Sequence, residues 1–152
     1  MHRESEVPPP IALTKATADA WLHGYVAAWE SYDPDQVGAL FSEDAIYYYS
    51  PFDDPIEGRL LIVASWLKDR DTPGTYEANY ETVAVDGDLA VATGRSLYYA
   101  DATKAAMTRE FENVFLIRFD DQGRCRSFQE WYMQRRRPTA SADDGPAAEA
   151  VE

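Results

Sequence analysis

Three polar side chains stand among apolar neighbours in positions where they could carry out chemistry. Tyr25 lies on the apolar face of a predicted helix, and Asn113 is the single amide on an otherwise apolar face of a predicted strand. Glu130 lies between Phe128 and Tyr132 near the end of the last predicted strand. A phenol or an amide can donate a hydrogen bond to a ligand oxygen, and a carboxylate can take up or release a proton. We therefore predict Tyr25, Glu130 and Asn113 as catalytic residues. The alternatives are that Tyr25 is one more core aromatic and that Asn113 is a core amide with its hydrogen bonds satisfied.

The register of the last strand decides whether Glu130 can act. A simple three-residue hairpin loop places Gln129 and Trp131 on the concave face and leaves Glu130 outside as a surface partner for an arginine. A single β-bulge reverses this assignment and turns Glu130 inward. The sequence leaves both registers open.

Aromatic side chains are the most plentiful candidates for a ligand-binding wall. The chain holds ten tyrosines and four tryptophans in 152 residues, and such residues combine an apolar body with a polar tip, which suits pockets and interfaces. Part of this content is equally well explained as strand surface and core wall. The predicted ligand-contacting residues are Trp29, Tyr47, Tyr49, Trp66, Phe115 and Trp131.

The sequence predicts neither a metal site nor a cofactor. His2 and His23, with the single Cys125, have no metal-ligand spacing. A glycine-rich phosphate-binding loop is absent as well.

Helices are predicted in the first half of the chain. Thr14 is a suitable N-cap for a helix whose apolar face includes Tyr25, and Asp33 with Pro34 predicts the start of a second helix, in which Gln36 completes a capping box. A strand over 45–49 follows. A third helix over about 59–68 has little polar face and is predicted to be well buried.

Two hairpins are predicted in the second half, where the hydrophobic period changes to two. Asp86-Gly87 joins strands over 76–85 and 89–99 and predicts the pairing of Val85 with Asp88, which places Tyr80 on the outer face. The loop 120–123 joins strands over 111–119 and 125–134. Helices followed by antiparallel strands predict an α+β fold.

The outer face of the strand over 111–119 predicts self-association. It alternates apolar and charged side chains, which with Tyr80 and Leu97 favours a homodimer through this face, although a partly apolar monomer surface is the alternative. The outer-face residues of this strand are Glu110, Glu112, Val114, Leu116 and Arg118.

Charge and composition exclude several classes of partner. A net charge of −13, from 27 acidic and 14 basic residues, repels nucleic acid and anionic lipid surfaces. There is no apolar run of about 20 residues that could cross a membrane, and the single cysteine fits a reducing compartment, so we expect a cytoplasmic protein. We predict a flexible arm over 1–12, one domain over 13–137 and a disordered acidic tail over 138–152.

Over residues 14 to 136 the chain resembles the ketosteroid isomerase and SnoaL-like polyketide cyclase group, within the nuclear transport factor two-like fold. The hairpin from Asp120 to Tyr132 is similar to the last two strands of the group. The resemblance implies three N-terminal helices packed in a strongly curved antiparallel sheet, as a cone-shaped α+β barrel of cystatin-like topology. The matching residues are Tyr25-Val-Ala-Ala28, Asp33, Asp35, Ala39-Leu40-Phe41, Asp44-Ala45 and Gly58.

The catalytic residues of the group are only partly present. Tyr25 falls where ketosteroid isomerase has its oxyanion-hole tyrosine, but the general-base aspartate falls at Tyr49 and the second oxyanion acid at Phe115. Glu130 matches one aspartate of limonene epoxide hydrolase, which favours the inward orientation, while the other two residues of that triad fall near Gly94 and Ser96.

The resemblance therefore implies a pocket for a small apolar molecule. The hypothesis is an isomerase, cyclase, dehydratase or hydrolase acting by acid/base chemistry without a cofactor. The alternative is a non-catalytic ligand-binding or dimerisation module, and a third possibility is a protein-partner adaptor. The sequence leaves open whether the protein is an enzyme.

Overall fold

The computed structural model describes residues 8–136. The predictions for the arm before residue 8 and for the tail over 138–152 lie outside these residues. Within the described part, three helices and six strands follow one another as α1 (Lys15–Ser31), α2 (Pro34–Ala39), β1 (Phe41–Tyr48), β2 (Ile56–Glu57), α3 (Arg59–Lys68), β3 (Tyr76–Asp86), β4 (Leu89–Tyr99), β5 (Met107–Phe119) and β6 (Cys125–Gln134).

The six strands form one curved sheet in the order β2-β1-β6-β5-β4-β3. All neighbouring strands are antiparallel except β1, which runs parallel to β6. Four consecutive strands joined by short connections make up most of the sheet, as local hairpin pairing favours. The predicted α+β class, with three helices against a curved sheet, is confirmed.

Helix α1 forms as the sequence predicts. The Thr14 hydroxyl accepts a hydrogen bond from the Thr17 N–H at 3.1 Å, and the Thr17 hydroxyl accepts one from the Thr14 N–H at 2.9 Å, so the helix begins with a reciprocal capping box. The predicted apolar face is buried against the sheet over its first three turns, where it includes Trp21 and Tyr25.

The start of α2 and of β1 differs from the prediction. Asp33 caps α2 through the Asp35 N–H at 2.9 Å, but Gln36 forms no capping box because its side chain accepts a hydrogen bond from the Ser31 hydroxyl instead. Strand β1 begins at Phe41 and not at residue 45, because the chain there pairs with Cys125 of β6. This parallel pairing is a long-range contact, which the local sequence around Phe41 does not predict.

Helix α3 is less buried than predicted. Ile62 and Trp66 are buried, but Leu60 and Leu61 are 82% and 61% exposed. The helix is apolar on nearly all sides, but the rest of the fold covers only one side of it. A prediction from its apolar composition therefore overestimates its burial.

The β3–β4 register differs from the prediction and moves one tyrosine to the other face. Asp86 pairs with Leu89, and a bulge between Thr82 and Ala84 brings Tyr80 opposite Gly94. Tyr80 therefore lies on the concave face, where it is buried, and the prediction that it lies on the outer face is wrong.

The β5–β6 hairpin adopts the bulged register. A register shift after Arg118 places Glu130 opposite Phe115, so Glu130 lies on the concave face. Trp131 pairs with Val114 on the outer face and is 48% exposed, so the prediction that Trp131 contacts a ligand in the pocket is wrong.

Gly94 is required where β3 and β4 approach each other. A Cβ atom at this position would lie 2.0 Å from the Asn79 carbonyl oxygen and 2.7 Å from the Tyr80 Cα. Both contacts are with backbone, so no side-chain rotation relieves them. We predict that Gly94→Ala lowers the free energy of unfolding by about 3 kcal/mol, because overpacking distorts the pair of strands. Urea denaturation measures this change.

Gly24 provides the matched control for the same substitution. A Cβ there would meet only the Leu40 Cδ2, at the end of α2, at the ordinary contact distance of 3.5 Å. Gly24→Ala should raise stability by roughly 0.5–1 kcal/mol, because it removes a flexible residue from a helix interior. Equal stability of the two variants would contradict the close approach at Gly94.

Asp19 links α1 to the bulge of β3. Its carboxylate accepts hydrogen bonds from the Lys15 ammonium at 2.7 Å and from the Thr82 N–H at 2.8 Å. These two bonds, with Lys15 the larger cause, lower the pKa of Asp19 to about 2. Strand β3 is an edge strand of the sheet, and Asp19 satisfies the Thr82 N–H beside the bulge.

This link should produce an acid-dependent loss of stability. Because the pKa of Asp19 is lower in the folded protein than its ordinary 3.8, the stabilisation is complete above about pH 4 and is lost as the pH falls towards 2. We predict that wild type is more stable than Asp19→Asn at neutral pH and that the difference shrinks between pH 4 and pH 2. Denaturant unfolding at a series of pH values measures it. Glu43→Gln, on an exposed residue of β1, should change stability little, and a pH-independent difference for Asp19→Asn would contradict the prediction.

Candidate functional site

A cavity of about 730 Å³ opens between the concave face of the sheet and helices α1 and α3. This volume lies in the range of small-molecule sites, which typically measure about 300–1,000 Å³. Its wall is largely aromatic, as the sequence predicts. The aromatic lining residues are Tyr25, Trp29, Tyr32, Tyr47, Tyr49, Trp66, Tyr80, Tyr98 and Tyr132.

Two phenol groups meet at the buried part of this wall. The hydroxyls of Tyr25 and Tyr47 lie 3.2 Å apart, and both side chains are almost completely buried. Burial raises the pKa of each phenol well above its usual range, and the negative charge of Glu130 adds to the effect on both. Both residues are therefore neutral hydrogen-bond donors at physiological pH.

Glu130 lines the same cavity and is held in place by a buried polar chain. The Asn113 Nδ2 donates to the Glu130 Oε2 at 2.8 Å, and the Ser96 hydroxyl donates to the Asn113 Oδ1 at 2.8 Å. The Tyr80 hydroxyl lies 2.6 Å from the Ser96 Oγ. Since Ser96 uses its one hydrogen on Asn113, the Tyr80 hydroxyl donates to Ser96. We call Tyr80, Ser96 and Asn113 the donor chain of Glu130.

Asn113 therefore stands behind the site and not in it. It is 3% exposed, it does not line the cavity, and it bonds to neighbours at both ends of its amide. The prediction of a direct catalytic contact changes to a positioning role, in which the amide orients the carboxylate of Glu130.

The predicted ligand-contacting residues separate into wall and core. Trp29, Tyr47, Tyr49 and Trp66 line the cavity. Phe115 is fully buried beneath it, with its ring 4.6 Å from Tyr80. Phe115 therefore supports the wall without forming part of it.

Trp66 and Tyr49 differ in how their polar atoms are satisfied. The Tyr49 hydroxyl pairs with the Ser65 Oγ at 3.0 Å. The Trp66 Nε1 is buried and has no hydrogen-bond partner within residues 8–136.

The outer part of the cavity is more polar than the sequence predicts. Asp71 accepts hydrogen bonds from the Trp29 Nε1 at 3.0 Å and from the Tyr32 hydroxyl at 3.3 Å. The charged groups of Asp53, Asp69, Arg70, Asp71 and Arg109 also line this part. The resemblance implies a pocket for a small apolar molecule, whereas this lining suits a molecule with both apolar and polar parts.

Five residues of the cavity were missed for identifiable reasons. Tyr80 was assigned to the wrong face because of the β3 bulge. Ser96 was read only as a small side chain. Arg70 and Asp71 follow α3 in a turn whose position depends on tertiary packing. Arg109 had a usable signal, since it alternates with Phe111 and Asn113 on the concave face of β5.

The structure offers no evident metal centre in its described part. Within residues 8–136 no three side chains of histidine, cysteine, aspartate or glutamate are grouped so that they could hold an ion. In the same residues no helix is both long and apolar enough to cross a membrane.

The fold and the pocket agree with the family that the sequence matches. Residues 22–128 match the model of the SnoaL-like domain, so the chain belongs to this family. No curated protein shows significant sequence similarity to it.

Solved structures support the same fold. A candidate ketosteroid isomerase from Kribbella flavida DSM 17836 superposes with a TM-score of 0.58 at 15% identity, over 91% of this chain and 93% of that one. An NTF-2-like protein of unknown function from Burkholderia xenovorans LB400 superposes with a TM-score of 0.60 at 15% identity, over 89% of this chain and 97% of that one. At such low identity the likeness establishes the fold, and it leaves the reaction to be argued from the site.

Proposed function

We propose that the protein is an enzyme that binds a small molecule in this cavity and moves a proton on it. The observation that carries the proposal is the position of the Glu130 carboxylate on the same cavity as the neutral phenols of Tyr25 and Tyr47. A base and a hydrogen-bond donor at one cavity are the two groups that proton abstraction next to a carbonyl requires.

The division of roles follows from the electrostatics. Tyr25, with its hydroxyl supported by Tyr47, donates a hydrogen bond to the carbonyl oxygen of the bound molecule. Glu130 removes the proton from the adjacent carbon, and negative charge moves to the oxygen, where the phenol stabilises it. The donor chain keeps the carboxylate oriented throughout. Return of the proton from Glu130 to another carbon of an unsaturated ketone completes an isomerisation. Transfer of the same proton to a β-hydroxyl, which leaves as water, completes a dehydration.

The base of this proposal differs in position from that of ketosteroid isomerase. In the resemblance the isomerase base falls at Tyr49, and a neutral tyrosine is a poor base. Glu130 projects into the cavity from β6 and supplies the missing carboxylate, while Tyr25 keeps the donor position on α1. The cavity therefore contains a complete acid/base pair in a different arrangement.

Exchange of the α-protons of 2-tetralone in D₂O, followed by NMR, tests the proposal without knowledge of the natural substrate. Wild type should accelerate exchange over buffer. Glu130→Gln should lower the protein-dependent rate by about 10²–10⁴-fold because it removes the base. Tyr25→Phe should lower it by about 10²-fold because it removes the donor to the developing oxyanion.

Glu112→Gln is the matched control, since Glu112 lies on β5 but on the outer face, where it pairs with Arg95. Its exchange rate should equal that of wild type. If 2-tetralone binds to wild type but exchanges no faster than in buffer, the proposal fails and the non-catalytic binding module becomes the better description.

We also propose that the protein forms a homodimer through the outer face of the sheet. Val114, Trp131 and Met133 are 38%, 48% and 74% exposed there, and Val114 pairs directly with Trp131 across β5 and β6. The Arg95–Glu112 ion pair lies beside this apolar strip, as charged groups surround the centre of many interfaces. The adaptor alternative would use the same face for a different protein.

Sedimentation velocity at micromolar concentration tests the dimer. Wild type should sediment as a dimer, and the double variant Val114→Glu/Trp131→Glu should sediment as a monomer, because it places like charges at the centre of the contact. Leu60→Glu, on the exposed side of α3, should leave the dimer intact. A monomeric wild type would reject this interface.

A further inference from the structure

We propose that the molecule bound in the cavity carries a carboxylate, which Arg109 and Arg70 bind at the outer end. The inference rests on the proposed function for the position of the reacting carbon, but the anion site itself is argued from separate residues. A second cavity of about 380 Å³ shares a wall with the first. The residues common to both cavities are Arg70, Asp71, Tyr98 and Arg109.

Both guanidinium groups are held by aromatic rings that line the main cavity. The Arg109 guanidinium lies 4.2 Å from the centre of the Tyr98 ring, and that of Arg70 lies 5.5 Å from the centre of the Tyr32 ring. Stacking occupies the face of a guanidinium and leaves the N–H groups at its edge able to donate. The Arg70 Nε also donates to the Leu67 carbonyl oxygen at 3.4 Å, so the terminal N–H groups of Arg70 are the ones that face a ligand.

Neither guanidinium forms an ion pair with a carboxylate of the described residues. Within residues 8–136, no carboxylate oxygen lies within 4.0 Å of Arg70 or Arg109, whereas Arg95, Arg118 and Arg135 each form an ion pair. In a chain of net charge −13, where acidic partners are plentiful, it is unusual for two arginines at one cavity to form no ion pair. An anionic oxygen group of a ligand would accept their free N–H donors, and planar carboxylates match the geometry of the fork.

The neighbouring acids select the charge of that group. Asp71 accepts hydrogen bonds from Trp29 and Tyr32, and its charge lies at the wall that the two cavities share. Asp69 also lines the main cavity. Together with Asp53 they place three acidic side chains against two arginines, and this net negative charge disfavours a dianion more than a monoanion. A carboxylate is therefore favoured over a phosphate.

The spacing along β5 sets the length of the ligand. Arg109 and Asn113 lie on the same face four residues apart, which is about 13 Å between Cα atoms at roughly 3.3 Å per residue. Asn113 contacts Glu130, so the reacting carbon lies near that end. The structure thus assigns an elongated, partly aromatic or alicyclic acid with its carboxylate on the order of 10 Å from the reacting carbon.

Biphenyl-4-carboxylate and its neutral analogue biphenyl-4-carboxamide test the anion site by isothermal titration calorimetry. Wild type should bind the carboxylate about tenfold or more tightly than the carboxamide, as charge-assisted hydrogen bonds predict. Arg109→Gln should remove most of this preference while leaving the affinity for the carboxamide unchanged. Arg70→Gln should reduce it by a smaller factor, and Arg124→Gln, in the β5–β6 turn, should have no effect.

Equal affinity of wild type for the two probes would overturn the proposal, as would a preference that survives in Arg109→Gln. Biphenyl-4-yl phosphate distinguishes the two sources of anionic oxygen. It should bind more weakly than the carboxylate, and tighter binding would overturn the assignment of a carboxylate.

The experiment also separates this inference from the proposed reaction. Glu130→Gln should lower the protein-dependent exchange of 2-tetralone by about 10²–10⁴-fold yet keep the preference for biphenyl-4-carboxylate. A protein that shows the preference but no exchange retains the anion site without the proposed chemistry. A protein that exchanges 2-tetralone but shows no preference retains the chemistry without the anion site.

Discussion

The orientation of Glu130 is the constraint on which the rest of the site depends. A carboxylate that faces a concave, mostly aromatic surface loses part of its hydration, and such a group is costly unless it is hydrogen-bonded. Asn113 supplies that bond, Ser96 holds Asn113, and Tyr80 holds Ser96. One residue of β3, one of β4 and one of β5 thus support a single residue of β6. The network is complete only when all four strands have the observed registers.

Two bulges produce those registers. The bulge near Arg118 turns Glu130 inward, and the bulge between Thr82 and Ala84 turns Tyr80 inward. Without the second bulge, the Tyr80 hydroxyl would be on the outer face and Ser96 would lose its donor. Asp19 of α1 satisfies the Thr82 N–H, so the first helix contributes to the site without lining it. Bulges of this kind near a functional site redirect individual side chains.

The environment separates the titratable groups of the cavity into donors and a base. Burial keeps the phenols of Tyr25 and Tyr47 protonated, and the negative charge of Glu130 reinforces this. The outer part of the cavity instead carries two cationic groups, the guanidinium groups of Arg70 and Arg109, which stack on tyrosines. A molecule bound between the two ends would meet a proton-transfer pair at one and cationic donors at the other. This polarity distinguishes the cavity from the pocket for a small apolar molecule that the resemblance implies.

The sequence by itself determined the α+β class, the first helix with its cap, the third helix and both hairpins, because these depend on local capping, turn residues and hydrophobic period. Tyr25, Trp29 and Tyr47, which the sequence predicts as site residues, line the cavity. Only the tertiary structure decided the parallel pairing of β1 with β6, the faces of Tyr80 and Trp131, and the grouping of Arg70 with Arg109. A bulge shifts the alternation of a strand by one residue, and its presence depends on long-range partners such as Asp19. The local hydrophobic pattern is the same whether or not a strand contains the bulge. The register that forms is the one in which the buried polar groups find hydrogen-bond partners.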